Sequence, residues 1–144
     1  MGAHHVIDHR KPLNEGLAAI GIPQVRYIAG LTASDRHQKA IIESLAPQGA
    51  LALIDDPRTF DIAPFKSKSQ SVHWEFMFTR SMFETPDVIE QHNILNEVSA
   101  LVDSGVLKTT ITENYGTINA ANLKRAHAML ETSKGMGKIV LKGF

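Results

Sequence analysis

The chain has 144 residues, 43% of them hydrophobic, with fifteen Lys and Arg against fifteen Asp and Glu and no cysteine. That length can bury one core, as one domain or part of a larger one, while zero net charge lacks the electrostatic footprint of a nucleic-acid binder. The missing cysteine excludes disulfides, thiolate nucleophiles, iron–sulfur clusters and cysteine-ligated zinc, and fits a reducing compartment.

Short β-branched runs alternate with longer helical runs. HVID (residues 5–8) reads as a strand, and PLNEGLAAIG as a helix with Pro12 in its first turn and Gly21 at its end. VRYIAG (25–30) is again strand-like. In SDRHQKAIIESLAPQG, Ser34 can cap a helix, Ile41, Ile42 and Leu45 supply its buried stripe, and Pro47 to Gly49 stop it. ALALID (50–55) is an uninterrupted apolar strand of the kind buried on both faces. This order argues for parallel β-α-β units.

From Asp56 to Gln70 the chain is polar and bears prolines, too irregular for a helix. SVHWEFMF (71–78) reads as a strand with Val72, Trp74, Phe76 and Phe78 on one side and His73, Glu75 and Met77 on the other. Thr85 is a natural cap for the longest helix, with Pro86 at its first position, Gly105 at its end and Val88, Leu95, Val98 and Val102 as its stripe. KTTIT (108–112) as a strand, a helix over about 119–132 and KIVLK (138–142) as a final strand complete the chain. No run approaches the roughly 18 apolar residues of a membrane span, and the first residues lack a signal-peptide layout. A soluble, cytoplasmic protein is expected.

GAHHVIDHRKPL, LAPQGALALIDDP, SVHWEFMFTRSMF and above all INAANLKRAHAMLETSKGMGKIVLKGF resemble the C-terminal part of the medium-chain dehydrogenase/reductase family, in its zinc-type alcohol dehydrogenase-like and quinone oxidoreductase-like branch. The most specific element is RAHAMLE followed by GKIVLK. The resemblance runs along essentially the whole chain but covers less than half of a typical member, so a C-terminal fragment is expected. It implies an α/β fold, a partial Rossmann-type, doubly wound parallel sheet of order 3-2-1-4-5-6 lacking its first two strands. HVID would be the third strand, VRYIAG the fourth and SVHWEFMF the sixth. Residues 1–107 would belong to the nucleotide-binding domain, and 108–144 would form a strand-helix-strand returning to the catalytic domain.

The activity implied for the parent is hydride transfer between NADP(H) and a carbonyl, alcohol or enone. The glycine-rich turn that binds pyrophosphate in the family has no counterpart here, and GMG before Lys138 reads as a glycine pair preceding a strand. The catalytic domain and any zinc ligands are missing with it, so no catalytic or metal-ligating residue is assigned and the chain alone is expected neither to hold NADP(H) tightly nor to be active. The histidines do not suggest a metal site: His4 and His5 are adjacent, and His37, His92 and His127 lie on separate expected helices.

Cofactor contacts in the parent are implied at three places. His9 and Arg10 follow the third strand, where relatives often carry a tyrosine and a basic residue near the adenosine 2′-phosphate. Gly30, Leu31 and Thr32, with Asp55 and Asp56, follow the fourth and fifth strands, whose carboxyl ends are where such sheets bind ligands. Phe78, Thr79 and Arg80 follow the sixth, near the nicotinamide. Open strand edges invite association, so a homodimer or higher oligomer through Ser71–Phe78 and Val25–Gly30 is expected, with neither nucleic acid nor membrane as partner. The rival reading is a non-catalytic, self-associating structural or interaction module.

Overall fold

The computed structural model describes residues 2–132 and 135–143. They fall into two compact units, Met1–Val88 and Ile89–Phe144.

The first unit is a parallel sheet of three strands, β1 (Val25–Gly30), β2 (Leu45–Leu53) and β3 (Ser71–Trp74), in the order β1-β2-β3. A short helix α1 (Leu13–Ala19) precedes β1, α2 (Ser34–Ser44) links β1 to β2, and a 3₁₀ turn (Ala63–Lys68) links β2 to β3. The core is small: Ile41 of α2, Leu45, Leu51 and Leu53 of β2 and Phe65 of the 3₁₀ turn are buried, with Ile28, Ile42, Phe60 and Val72 packed around them. The unit closes with α3 (Thr79–Met82), a single turn beyond β3.

Residues 5–8 do not form the expected third strand. A strand needs a ladder partner, and among the described residues β1 pairs only with β2, so this segment has none. Ile7 is instead half-buried, and a Cβ on Gly16 of α1 would meet its side chain at 3.3 Å. The sheet therefore leaves β1 and β3 as its two edges within this chain.

β2 also departs from expectation. Pro47 to Gly49 do not stop a helix, because α2 already ends at Ser44 and the strand begins at the next residue. The helix end is taken up by side chains from far along the chain. The Lys68 Nζ donates to the carbonyls of Ile42, Glu43 and Leu45 at 2.9, 3.0 and 3.1 Å, and Gln70 Nε2 donates to those of Ile42 and Leu45 at 3.1 and 2.7 Å. These carbonyls would otherwise be orphaned at the negative end of the helix dipole. Pro47 to Gly49 bulge between two paired stretches of β1 and β2, and Gly49 fits only because it has no side chain: a Cβ there would meet Ala46 O, Arg26 O and Leu45 Cδ1, each at 2.9 Å.

The stretch 56–70 is less irregular than its composition suggests. The Asp61 carboxylate accepts from the Ala63 N–H at 2.9 Å, Pro64 sits in the first turn, and Phe65 drives the 3₁₀ turn into the core. β3 is only half as long as expected, because its partner ends. Glu75 N–H still donates to Leu53 O at 2.8 Å, but β2 stops at Leu53 and no further ladder is available.

In the second unit α4 (Glu90–Asp103) is the longest helix. It begins four residues later than Pro86, since the Thr85 hydroxyl donates to Asp87 rather than capping it, and Pro86 to Ile89 form a turn. Gly105, at a φ of 73°, follows its end as expected. None of its residues is buried. β4 (Ile111–Thr117), α5 (Ala120–Glu131) and β5 (Lys138–Lys142) form a β-α-β unit with the two strands parallel. β4 starts three residues beyond the expected Lys108, where pairing with the apolar run of β5 begins: Lys138 N–H donates to Thr110 O, and Ile111 is opposite Lys138. Asn119 caps α5 through its side-chain oxygen, 2.8 Å from the Asn122 N–H. Among the described residues no helix is long and apolar enough to cross a membrane.

Replacing Lys68 by Met keeps its apolar stem but removes three charge-assisted hydrogen bonds, so Lys68→Met is expected to lower unfolding free energy by about 2 kcal/mol. Urea denaturation of this variant beside Lys66→Met, an exposed neighbour on the same turn, measures the difference.

Candidate functional site

The carboxyl ends of the three parallel strands lie in one row. Gly30 pairs with Leu53 and Leu53 with Trp74, and two further bonds extend the ladder, from Ile54 N–H to Gly30 O at 3.0 Å and from Glu75 N–H to Leu53 O. The chain therefore leaves the sheet on the same edge at Leu31–Thr32, at Asp55–Asp56 and at Phe76–Phe78.

One hydrogen-bonded latch fixes this edge. Ser34, almost fully buried, donates its N–H to Asp55 Oδ2 at 2.8 Å and its hydroxyl to Asp55 Oδ1 at 2.7 Å. Both bonds favour the ionised carboxylate, and together they hold Asp55 below the usual carboxylate range. Ser34 was expected to cap α2 itself; instead Ala33 occupies the cap position at a φ of 51°, and the Asp55 carboxylate supplies the acceptor for the first helical N–H. Gly30 has no room for a side chain beside the latch, since a Cβ would meet Ser34 Oγ at 2.5 Å and Leu53 Cδ2 at 2.8 Å.

Of the residues singled out from sequence, Gly30 and Asp55 thus meet through Ser34. Leu31 projects as an apolar surface, 68% exposed, and Thr32 and Asp56 are exposed beside it. Phe78 stands just before α3 with its ring 5.5 Å from Phe76, edge to face. Thr79 opens α3, and Arg80 Nε donates to Asp87 Oδ2 at 2.9 Å. The Asp87 carboxyl is lowered by the Thr85 hydroxyl first and by Arg80 second.

His9 and Arg10 lie apart from this row, in the turn before α1. Arg10 is held by its own neighbour: Nε and Nη2 donate to the two Asp8 oxygens, both at 2.9 Å, and bring the Asp8 carboxyl down to about 2. His9 faces the ring of His37 on α2, 6.2 Å between centroids. Sequence reading missed Ser34 as a donor to Asp55, and it missed His37, Arg36 and Lys39 as neighbours of the His9 turn; only the fold brings these residues together.

The sequence pattern of the zinc-binding dehydrogenases matches residues 1–141. The chain belongs to that family. Zinc-type alcohol dehydrogenase-like proteins of Staphylococcus aureus and Staphylococcus epidermidis are 32% and 30% identical over 142 residues, 98% of this chain. The chain spans 42% of the length of these relatives. A crystal structure of a proposed zinc-dependent alcohol dehydrogenase from Rhizobium etli CFN 42 has 52% identity and a TM-score of 0.90, over 99% of this chain and 42% of that one. An NAD-dependent alcohol dehydrogenase, 20% identical with a TM-score of 0.70 over 98% of this chain and 38% of that one, shares the fold. The sheet is therefore the partial Rossmann-type sheet of a medium-chain dehydrogenase, and the chain is a zinc-type alcohol dehydrogenase-like domain. Among the described residues no three His, Asp or Glu side chains come together to hold a metal ion, so the ion that names the zinc-binding dehydrogenases has no ligand set within these residues.

The latch makes a pH prediction. Because Asp55 is lowered from its ordinary 3.8, its stabilisation is complete above that value and is lost as pH falls through the lower folded value. Asp55→Asn keeps one acceptor but turns an amide toward the Ser34 donors, at a cost of about 1–2 kcal/mol near neutrality. In urea melts the gap between the natural chain and Asp55→Asn is expected to narrow as pH falls below 3.8.

Proposed function

We propose that this domain supplies the strand-end face of the cofactor cleft in an NADP(H)-dependent oxidoreductase acting on a carbonyl, alcohol or enone. The observation that supports this most is the latched edge, where Gly30, Leu53 and Trp74 align and three loops leave on one side. Ligands of doubly wound sheets bind outside the carboxyl ends of their strands. When bound, the dinucleotide would supply hydride to a carbonyl or enone carbon in its reduced form, or take it from an alcohol carbon in its oxidised form.

The chain's own residues bind and orient. Leu31 offers an exposed apolar surface for a flat ring or ribose, Gly30 lets the first loop lie close to the sheet, and the Phe76–Phe78 pair borders the far end of the row. Asp55 is engaged by Ser34 and serves as a positioning residue, while Asp56 is the exposed carboxylate of the pair. No side chain here is assigned a proton-transfer role. Without a glycine-rich turn to hold the pyrophosphate, the 144-residue chain binds the cofactor weakly and is inactive by itself. The cysteine-free composition supports a reducing, cytoplasmic setting.

Fluorescence titration with NADPH tests this. The chain alone is expected to give no saturable signal at micromolar concentration, and a protein that adds a family strand, glycine-rich turn and helix ahead of residue 1 is expected to bind. Stoichiometric binding by the chain alone would overturn the half-site reading, and no binding by the extended protein would overturn the cofactor reading.

A second reading, self-association, is favoured by the run after β3. Trp74, Phe76, Met77, Phe78, Met82 and Phe83 are between 51 and 71% exposed in ten residues of chain, next to an unpaired strand edge. Such contiguous apolar surface marks an interaction site. We propose that two copies pair along Ser71–Phe78, with the Val25–Gly30 edge as the alternative. Sedimentation velocity is expected to show a dimer that Trp74→Arg shifts to monomer; a natural chain that stays monomeric at about 100 μM, an affinity already weak for an obligate pair, excludes it.

A further inference from the structure

Strand β3 carries two metal-ligating side chains on one face. His73 and Glu75 stand two residues apart, so both project to the same side of the sheet, and the Glu75 N–H bond to Leu53 O at 2.8 Å keeps the chain on its course to that point. Both side chains border an open groove of ≈ 450 Å³ floored by Ala29, Ala50 and Ala52 and bounded across the sheet by Tyr27. His73 is already oriented, with its Nε2 3.2 Å from Ser71 Oγ. When Nε2–H donates to that hydroxyl, the lone pair of the neutral ring lies on Nδ1. Among the described residues the Glu75 carboxylate has neither a hydrogen bond nor an ion pair.

Two ligands are half of a tetrahedral set, and the neighbours of His73 across the sheet, Ala52 and then Ala29, offer no third. A second copy of the chain can supply the other half. The Glu75 N–H is spent on β2, and because backbone groups alternate sides along a strand, those of Val72 and Trp74 face the open edge. In one continuous sheet, two identical edges related by a two-fold axis run antiparallel, and only registers that match even positions with even ones satisfy both backbones. Val72 opposite Trp74 leaves each Glu75 across from Ser71, so four ligands do not converge. Trp74 opposite Phe76 sets the two Glu75 carboxylates face to face, which is destabilising. Trp74 opposite Trp74 instead sets each His73 across from the partner's Glu75, with Cβ atoms about 4.5–5.5 Å apart. The axis then passes through the Trp74 pair, whose side chains lie on the other face of the sheet, and the space between the four ligands stays open.

We propose that two chains joined along β3 hold one divalent transition-metal ion on their two-fold axis, through His73 Nδ1 and a Glu75 carboxylate oxygen of each chain. Two imidazoles and two carboxylates form a mixed nitrogen–oxygen set that zinc accepts and magnesium, which prefers oxygen and water, does not. Ser71 is a positioning residue that fixes the His73 ring. The proposal rests on the self-association reading for its second pair of ligands, and it makes that pairing respond to metal. The ion clamps the two chains and has no assigned part in hydride transfer.

Sedimentation velocity of the full 144-residue chain in EDTA, Mg²⁺ or Zn²⁺, beside calorimetric titration with Zn²⁺, tests this. One Zn²⁺ is expected to bind per two chains, and free Zn²⁺ at about 100 times its Kd to tighten the dimer about 100-fold, while Mg²⁺ does neither. His73→Ala and Glu75→Gln are each expected to abolish the shared binding and the metal effect while leaving the metal-free pairing unchanged. Ser71→Ala is expected to weaken Zn²⁺ binding about tenfold, and His92→Ala, at an exposed histidine of α4, to alter nothing. A dimer in EDTA that takes up no Zn²⁺, or takes it up equally in His73→Ala, overturns the metal site and leaves the pairing. One Zn²⁺ bound to every chain with no change in sedimentation overturns the shared site. A chain that stays monomeric at about 100 μM with and without Zn²⁺ overturns both the site and the pairing.

Discussion

Helix α2 is held at both ends by charges of the sign its dipole requires. The Asp55 carboxylate sits on the first helical N–H and the Lys68 ammonium on the last carbonyls, with Gln70 beside it. Eleven residues of helix are marginal alone, and the buried apolar cluster beneath this one has five members. The two charged contacts are thus a large part of what fixes the helix. They also tie its start to the end of β2 and its end to the loop before β3, so one helix registers three strands.

That arrangement determines the shape of the strand-end edge. Since Asp55 is bound to Ser34, the loops after β1 and β2 are ordered by the protein itself before any ligand arrives. Such preorganisation lowers the entropy a ligand must overcome on binding. It also separates the adjacent carboxylates Asp55 and Asp56 by role: one is half-buried and held in the latch, the other open to solvent. Their adjacency in sequence carries no sign of this division, because it is imposed by a serine 21 residues away.

Legibility follows the range of the interaction. β1, α5 and β5 were readable because the deciding signals lie within each segment: a β-branched run, a continuous helical run, a glycine before a strand. Residues 5–8 carry the same kind of strand signal as 138–142, yet among the described residues they lack a ladder partner and form no strand. β3 stops at Trp74 although its alternation continues to Phe78, because β2 ends first. Propensity states what a segment tolerates, and pairing decides what it becomes. The family assignment was legible for a different reason, since it rests on several short motifs in a fixed order.

The candidate site divides in the same way. Gly30 and Asp55 could be placed at strand ends because such ends can be located from hydrophobic runs. The roles of Ser34 and Lys68 could not be, since each depends on a contact made across the fold. Arg10 shows the hazard of reading charge from sequence alone: an arginine after a strand suggests an anion site, but an aspartate two residues earlier already occupies its fork. Guanidinium groups bind planar carboxylates in two parallel bonds, so a ligand phosphate would have to displace Asp8 to use Arg10.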